Sequence, residues 1–262
     1  MTGPVGLALR QGDIEFKQFL RTRESFVFTL LFPTMILLIF GAIFQGDIEG
    51  ISFKQYFAAG MIASGLMSSG FQNLAITIPI ERDRGVLKRF RGTPMPKWIF
   101  FAGKIIQVGL VGLLATALLL FFGSFYGLRM PDTAGKWFTL SWVWVLGLAS
   151  CTLLGIAFSA AARTGRSGPA VVTPIALILQ FISGVYFPYT ALPSWMQQIA
   201  AIFPLKWMCQ GMRAVFLPDS FAATEVAGSW ELGRVALVLG AWCVVGLVAS
   251  LLFFRWTTKR DG

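Results

Sequence analysis

The chain has 262 residues, of which 56% are hydrophobic and 13% charged, with 25 Phe, 9 Trp and no His. Water-soluble domains carry about 25% charged residues, so an ordinary soluble enzyme and a disordered chain are both excluded and a polytopic membrane protein is implied. The net charge of +10 lies in short loops rather than in a basic soluble domain, which excludes a nucleic-acid binder.

Residues 1–25 carry an amphipathic pattern. Val5, Leu9, Phe16, Phe19 and Leu20 fall within about 100° of helical arc, beside Arg10, Asp13, Lys17, Arg21 and Glu24. A helix lying in the membrane interface is expected. Six apolar runs follow, at 26–44, 57–80, 98–122, 137–162, 170–187 and 235–254. Each is near the roughly 20 residues that a membrane helix needs. The first run follows a charged leader and precedes no small-x-small site, so it reads as a span and not as a signal sequence.

Lys and Arg are counted along the loops. Segments 1–25, 81–97, 163–169 and 255–262 hold 15 in 57 residues; segments 45–56, 123–136 and 188–234 hold 6 in 73. The positive-inside rule puts both termini in the cytoplasm. Trp98, Trp137, Trp142, Trp230 and Trp256 near the span ends fit headgroup-level anchors. Cys151, Cys209 and Cys243 have no paired spacing and read as small apolar residues.

No Asp, Glu or His lies in any run, and Lys104 is the one ionisable group. It sits about 9–10 Å into the third span, and we expect it to snorkel to the interface as an anchor. Proton- or ion-coupled carriers usually need a membrane-embedded titratable group, so the pattern argues against a secondary transporter. No phosphate-cradling G-x-x-x-x-G-K-[ST] motif occurs, and the longest non-spanning segment, 188–234, is too short for a nucleotide-hydrolysing domain. The chain is expected to catalyse no chemistry and to hold no metal; energy for transport would come from another polypeptide.

The loop 81–97 mixes both signs of charge. Val86, Leu87 and Phe90 then form a short apolar arc before a Pro-x-Pro stop. A bare anchor needs only cations, so this loop reads as a docking element whose apolar arc meets a cytoplasmic partner. On span two, Met61, Ser64, Ser68 and Gln72 share a face; on span five, Thr173, Leu177, Gln180 and Gly184 do so. These faces suit an apolar path with a few polar groups, and equally suit close helix packing. Pro33, Pro79 and Pro174 are expected to kink or end their helices.

Beyond span five and Pro188, the prolines Pro193, Pro204 and Pro218 bound two stretches too short to cross about 30 Å of hydrocarbon. A helical hairpin over 188–217, dipping into the outer leaflet and returning, is predicted. Its polar face, with Lys206, Gln210 and Arg213, is expected to meet water, and it would act as an outer gate.

These residues resemble the ABC type-2 exporter permeases. One signature is Glu81-Arg82-Asp83-Arg84-Gly85-Val86-Leu87-Lys88-Arg89, continuing through Phe90 to Thr93-Pro94. It is similar to the family's charged run between spans two and three. The second runs from Ser183-Gly184 through Phe187-Pro188, Leu192-Pro193, Trp195 and Phe203-Pro204-Leu205 to Arg213. It is similar to the family's outer segment before the last span. The subgroup it looks most like is that of antibiotic-resistance permeases of the daunorubicin-exporter kind; Val86 stands where many members carry Thr.

The resemblance implies an all-α membrane protein forming one permease domain over 1–262, with six spans, an N-terminal interfacial helix and an outer re-entrant hairpin. It also implies a prokaryotic inner-membrane location and a second permease copy, most simply as a homodimer. A separate cytoplasmic ATPase would carry ATP and Mg, and the 81–97 loop would act as the coupling helix. The cargo would be an amphipathic or lipidic compound. The rival readings are a secondary transporter or channel without ATPase, and a membrane scaffold.

Overall fold

A computed structural model describes residues 3–256 except 45, 49, 126 and 163. The cations at 163, 259 and 260 counted above lie outside the described residues. The protein is almost entirely helical.

Helix α1, Pro4–Arg21, begins with proline at its first position, where a missing N–H costs nothing. Helix α2, Arg23–Ile43, contains a π-helical turn at Val27–Leu31 directly before Pro33. Proline cannot donate to the preceding turn and crowds its carbonyl, and the widened turn absorbs that conflict. A two-residue ribbon pairs Asp47 with Ser52 and Ile48 with Ile51. Helix α3 then runs unbroken over 53–83, with a second π turn at Ser68–Gln72. Ser52 caps its start by accepting from the Gln55 N–H.

The remaining helices are α4 (Val86–Arg91), α5 (Lys97–Phe125), α6 (Ala134–Phe158), α7 (Ser167–Ile182), α8 (Ser194–Ile202), α9 (Pro204–Phe216) and α10 (Leu232–Phe253). Among the described residues four helices, α2, α5, α6 and α10, are long and apolar enough to cross a membrane. Helices α3 and α7 lie over the other two apolar runs, α7 with 16 residues.

The core is built on α3, whose residues 55–71 are all buried. Small residues bring backbones together there. A Cβ on Gly155 of α6 would lie 2.7 Å from the Gly70 carbonyl oxygen, so only glycine admits this approach. Helix α10 lies along α6, with Ser250 donating to the Leu153 carbonyl. The outer flank of α10 is apolar and exposed at Leu237, Val244, Leu251 and Leu252, as a lipid-facing surface requires.

Helix α1 lies on α5 through Ala8, Gly12, Glu15 and Phe19. Gly12 faces Ile106, and Gly103 faces Gln11. Of the apolar arc read from the sequence, Phe19 packs inward while Val5, Leu9 and Leu20 remain exposed, available to an interface. The three cysteines are free.

Candidate translocation cleft and coupling elements

The π turn in α3 and the proline-bearing helix α7 face one another across a cleft of about 500 Å³. Met61, Ser64, Ser68 and Gln72 line it from α3, and Thr173, Leu177 and Gln180 from α7. Seven of the eight residues picked from the two helical faces thus converge. Gly184 does not: α7 ends at Ile182, and Gly184 sits in the following turn at φ 78°, outside the cleft. Helix α2 supplies a third wall with Phe28, Thr29, Phe32 and Pro33. Sequence periodicity could not reveal it, because α2 is apolar around most of its circumference.

The polar groups in the cleft are partly self-satisfied. Ser68 donates to the Gln72 side chain at 2.7 Å, and the Tyr186 hydroxyl donates to Gln180 at 2.5 Å. The Asn73 side-chain nitrogen is buried without a partner among the described residues, and Glu24 brings a carboxylate to the rim. The arrangement is an apolar slot with a few amides and hydroxyls, suited to an amphipathic guest.

The 81–97 loop turns at Gly85, whose φ of 72° favours glycine, and continues into α4. Two of the three residues of its apolar arc, Leu87 and Phe90, face inward, while Val86 is exposed. Leu87 is fully buried, and Phe90 packs edge-on against Phe100 at 5.6 Å and stacks near Trp256. Leu87 and Phe90 therefore anchor α4 to the bundle. The outward surface is Arg84, Val86, Lys88, Arg89 and Arg91. Thr93, exposed beside Pro94, donates to the Phe90 carbonyl and ends the helix.

The two acidic residues of the motif differ in placement: Glu81 is buried and Asp83 is exposed. Asp83 accepts from the Gly165 N–H at 2.6 Å, tying α3 to the start of α7. Arg82 donates to the carbonyls of Ser159 and Arg255. Glu81 is buried and accepts from Lys104 at 2.5 Å.

Lys104 is not a snorkelling anchor. It is 2% exposed and held between Glu81 and Glu15, the latter at 2.7 Å. Its stem points into the junction of α1, α3 and α5, where two carboxylates offset the loss of water. A lone cation in an apolar run implies some partner; Glu81 adjoins the second run, but Glu15 lies well before the first and nothing local points to it.

Beyond Gly184, the prolines mark the boundaries. Pro188 precedes a 3-10 turn at Tyr189–Ala191, Pro193 is the N-cap of α8, and Pro204 opens α9. The expected exposure of the polar face is not found: α9 is buried on all sides, its apolar Met208, Met212 and Val215 as well as its polar residues. Lys206, Gln210 and Arg213 are all buried, while Trp195, Ile199 and Ile202 are exposed.

Arg213 donates to the Gly184 carbonyl, lies 4.0 Å over the Tyr56 ring and faces Glu225 at 3.9 Å. Lys206 bonds Gln210 and lies 3.6 Å from the Trp207 ring centroid. Burial pushes its ammonium down to about 8. Packed inside the bundle, the polar side chains of α9 are satisfied by one another and by nearby carbonyls, as buried polar groups must be.

The sequence pattern of the ABC-2 type transporter family matches residues 12–217. The inner membrane transport permease YadH of Escherichia coli (strain K12) is 26% identical over 241 residues, covering 87% of this chain and 91% of that one. The putative transport permease ycf38 of Cyanophora paradoxa is 22% identical, covering 91% of this chain and 83% of the relative. For the putative transport permease YvfS of Bacillus subtilis (strain 168), the identity is 22% and the shares are 74% and 79%. With the family pattern spanning most of its length, the chain belongs to the ABC-2 type transporters as a transmembrane transport permease.

Proposed function

We propose that this permease is the membrane half of an ATP-driven exporter and that the slot between α2, α3 and α7 carries an amphipathic or lipidic cargo. The observation that carries the reading is the convergence of polar α3 and α7 residues on one apolar-walled cleft. On this reading the chain crosses the membrane six times, through α2, α3, α5, α6, α7 and α10, with both termini cytoplasmic. Two copies pair so that their clefts face a common path. A separate ATPase binds ATP and Mg and docks on the cytoplasmic loop.

Coupling runs through 81–97. The basic outer side of α4 suits an acidic groove on the ATPase, with Arg84, Val86 and Arg89 as contacts and Gly85, Thr93 and Pro94 setting the loop's shape. Glu81, Arg82, Asp83, Leu87 and Phe90 are positioning residues that transmit its displacement to the bundle. The Lys104 pairs with Glu15 and Glu81 connect this loop to α1, so both cytoplasmic elements move together.

Helices α8 and α9 form the outer gate as a re-entrant hairpin. Support comes from Trp242, midway along α10, whose indole donates to the Ile202 carbonyl at the hairpin's turn; this depth suits a dip to mid-membrane. A drug-export role of the daunorubicin kind is the narrower form of this proposal.

The test reconstitutes the permease with its cognate ATPase in vesicles and follows ATP-dependent movement of fluorescent lipid and drug probes. Ser64→Trp, which fills the slot, is expected to abolish transport while ATPase binding persists. Transport that stops when ion gradients are collapsed at constant ATP would favour a secondary carrier, and unaltered transport in Ser64→Trp would remove the slot from the path.

A further inference from the structure

A second cleft, of about 560 Å³, opens on the opposite flank of the bundle between α6, α10 and the π turn of α3. Phe71, Ala157, Ala161, Trp242 and Ala249 form an apolar trough, and Arg255 stands at one end. No cargo residue named above lines it. The trough runs along α10 from Trp242 to Phe253, about 16 Å of helix. Half of a bilayer's hydrocarbon thickness is about 15 Å, so the trough has the depth of one leaflet. Val245, Leu252 and Phe253 on its rim are more than half exposed, so it opens sideways toward lipid.

The charged end is unusual. The Arg255 side chain makes no hydrogen bond or ion pair among the described residues. Arg82, buried alongside, uses its guanidinium to hold the Arg255 and Ser159 carbonyls, and the two cations repel each other. The carboxylate that acts on Arg82, Asp83, already accepts from Gly165. A like-charged pair is thus left at the polar end of a chain-length apolar trough.

We propose that this trough binds one anionic phospholipid, with an acyl chain between α6 and α10 and its phosphate on Arg255, backed by the charge of Arg82. An anion there neutralises the repulsion, and guanidinium geometry suits phosphate. The site needs the protein in a bilayer but neither the ATPase nor the six-span orientation.

The test uses the full chain in phosphatidylcholine vesicles with trace phosphatidylglycerol or phosphatidylcholine, spin-labelled near the end of the same acyl chain. Electron paramagnetic resonance reads the motionally restricted fraction. We expect phosphatidylglycerol to be favoured about fivefold at the site, the effect of one basic contact near the surface. Arg255→Gln should erase this preference and Arg255→Lys should retain it. Ala249→Trp, which fills the trough with Arg255 intact, should remove the selective component. Soluble glycerol phosphate should not displace it. Equal restriction of both lipids by the native protein, selectivity surviving in Arg255→Gln or Ala249→Trp, or displacement by glycerol phosphate would each overturn the proposal. The Lys variant guards against mistaking misfolding for lost binding.

Discussion

Replacing Lys104 with Met would leave Glu15 and Glu81 buried face to face without their cation. At separations of 2.7 and 2.5 Å, each ion pair supplies about 6 kcal/mol of gross attraction at an effective dielectric of about 20. Desolvating three charges costs several kcal/mol per ion, so the intact cluster is close to energetic balance. The asymmetry appears on removal: stranding buried charge costs about 3–5 kcal/mol. Because Glu15 belongs to α1 and the other two groups to the bundle, the least costly relief is for α1 to lift and hydrate its carboxylate. We expect amide exchange over residues 4–21 to accelerate by about two to four orders of magnitude, with little change over α6 and α10. Adding Glu15→Gln and Glu81→Gln to Lys104→Met removes the stranded charge and should restore most of the protection. Native-like exchange in Lys104→Met, or no recovery in the triple variant, would refute the account.

Charge reversal on the outer side of α4, Arg84→Glu with Arg89→Glu, should leave folding intact but weaken ATPase co-purification at least tenfold, with the loss growing as salt is lowered. Leu87→Asp should instead destabilise the permease itself, since it buries an unpaired carboxylate at about 2–5 kcal/mol, read as reduced folded yield. Gly155→Ala drives a Cβ to 2.7 Å from the Gly70 carbonyl and should cost about 1–3 kcal/mol, seen as a lower midpoint in detergent melting. Lys206 gives a pH signature. Its folded pKa of about 8 lies below the ordinary 10.5, so the unfolded state binds more protons between those values. Stability from this group therefore rises with pH across that window, and Lys206→Met should flatten that rise in a melting series.

Apolar run length and proline placement were legible from the sequence because they depend on local chemistry. The apolar runs fall on the observed helices, and Pro193 and Pro204 sit at the starts of α8 and α9. The cleft residues of α3 and α7 were legible for a similar reason: serine, threonine and glutamine stand out on an apolar face. Direction was not legible. Periodicity assigned Leu87 and Phe90 to one arc but not to the bundle side, and Lys206 and Arg213 to one arc but not to the interior. Periodicity separates the arcs but does not say what covers them: the bundle takes Leu87 and Phe90 of α4, and α9 is enclosed on every side, so its polar arc is hidden with the rest. Lys104 and its partners are separated by 89 and 23 residues, and no local pattern encodes such a meeting.

The π turn at Ser68–Gln72 has a consequence for register. A π turn takes up one more residue than a helical turn allows, and one residue corresponds to about 100° of rotation. The half of α3 after the turn is therefore rotated by about that angle relative to an uninterrupted helix. Without it, Asn73 and Thr77 would point well away from Ser64; with it, both line the same slot. The rotation carries through to Glu81, eight residues past Asn73, and fixes the bearing from which it meets Lys104. One supernumerary residue thus sets the angular phase of the slot wall and of the ionic junction together, and any relaxation of the turn to ordinary helix would shift both at once.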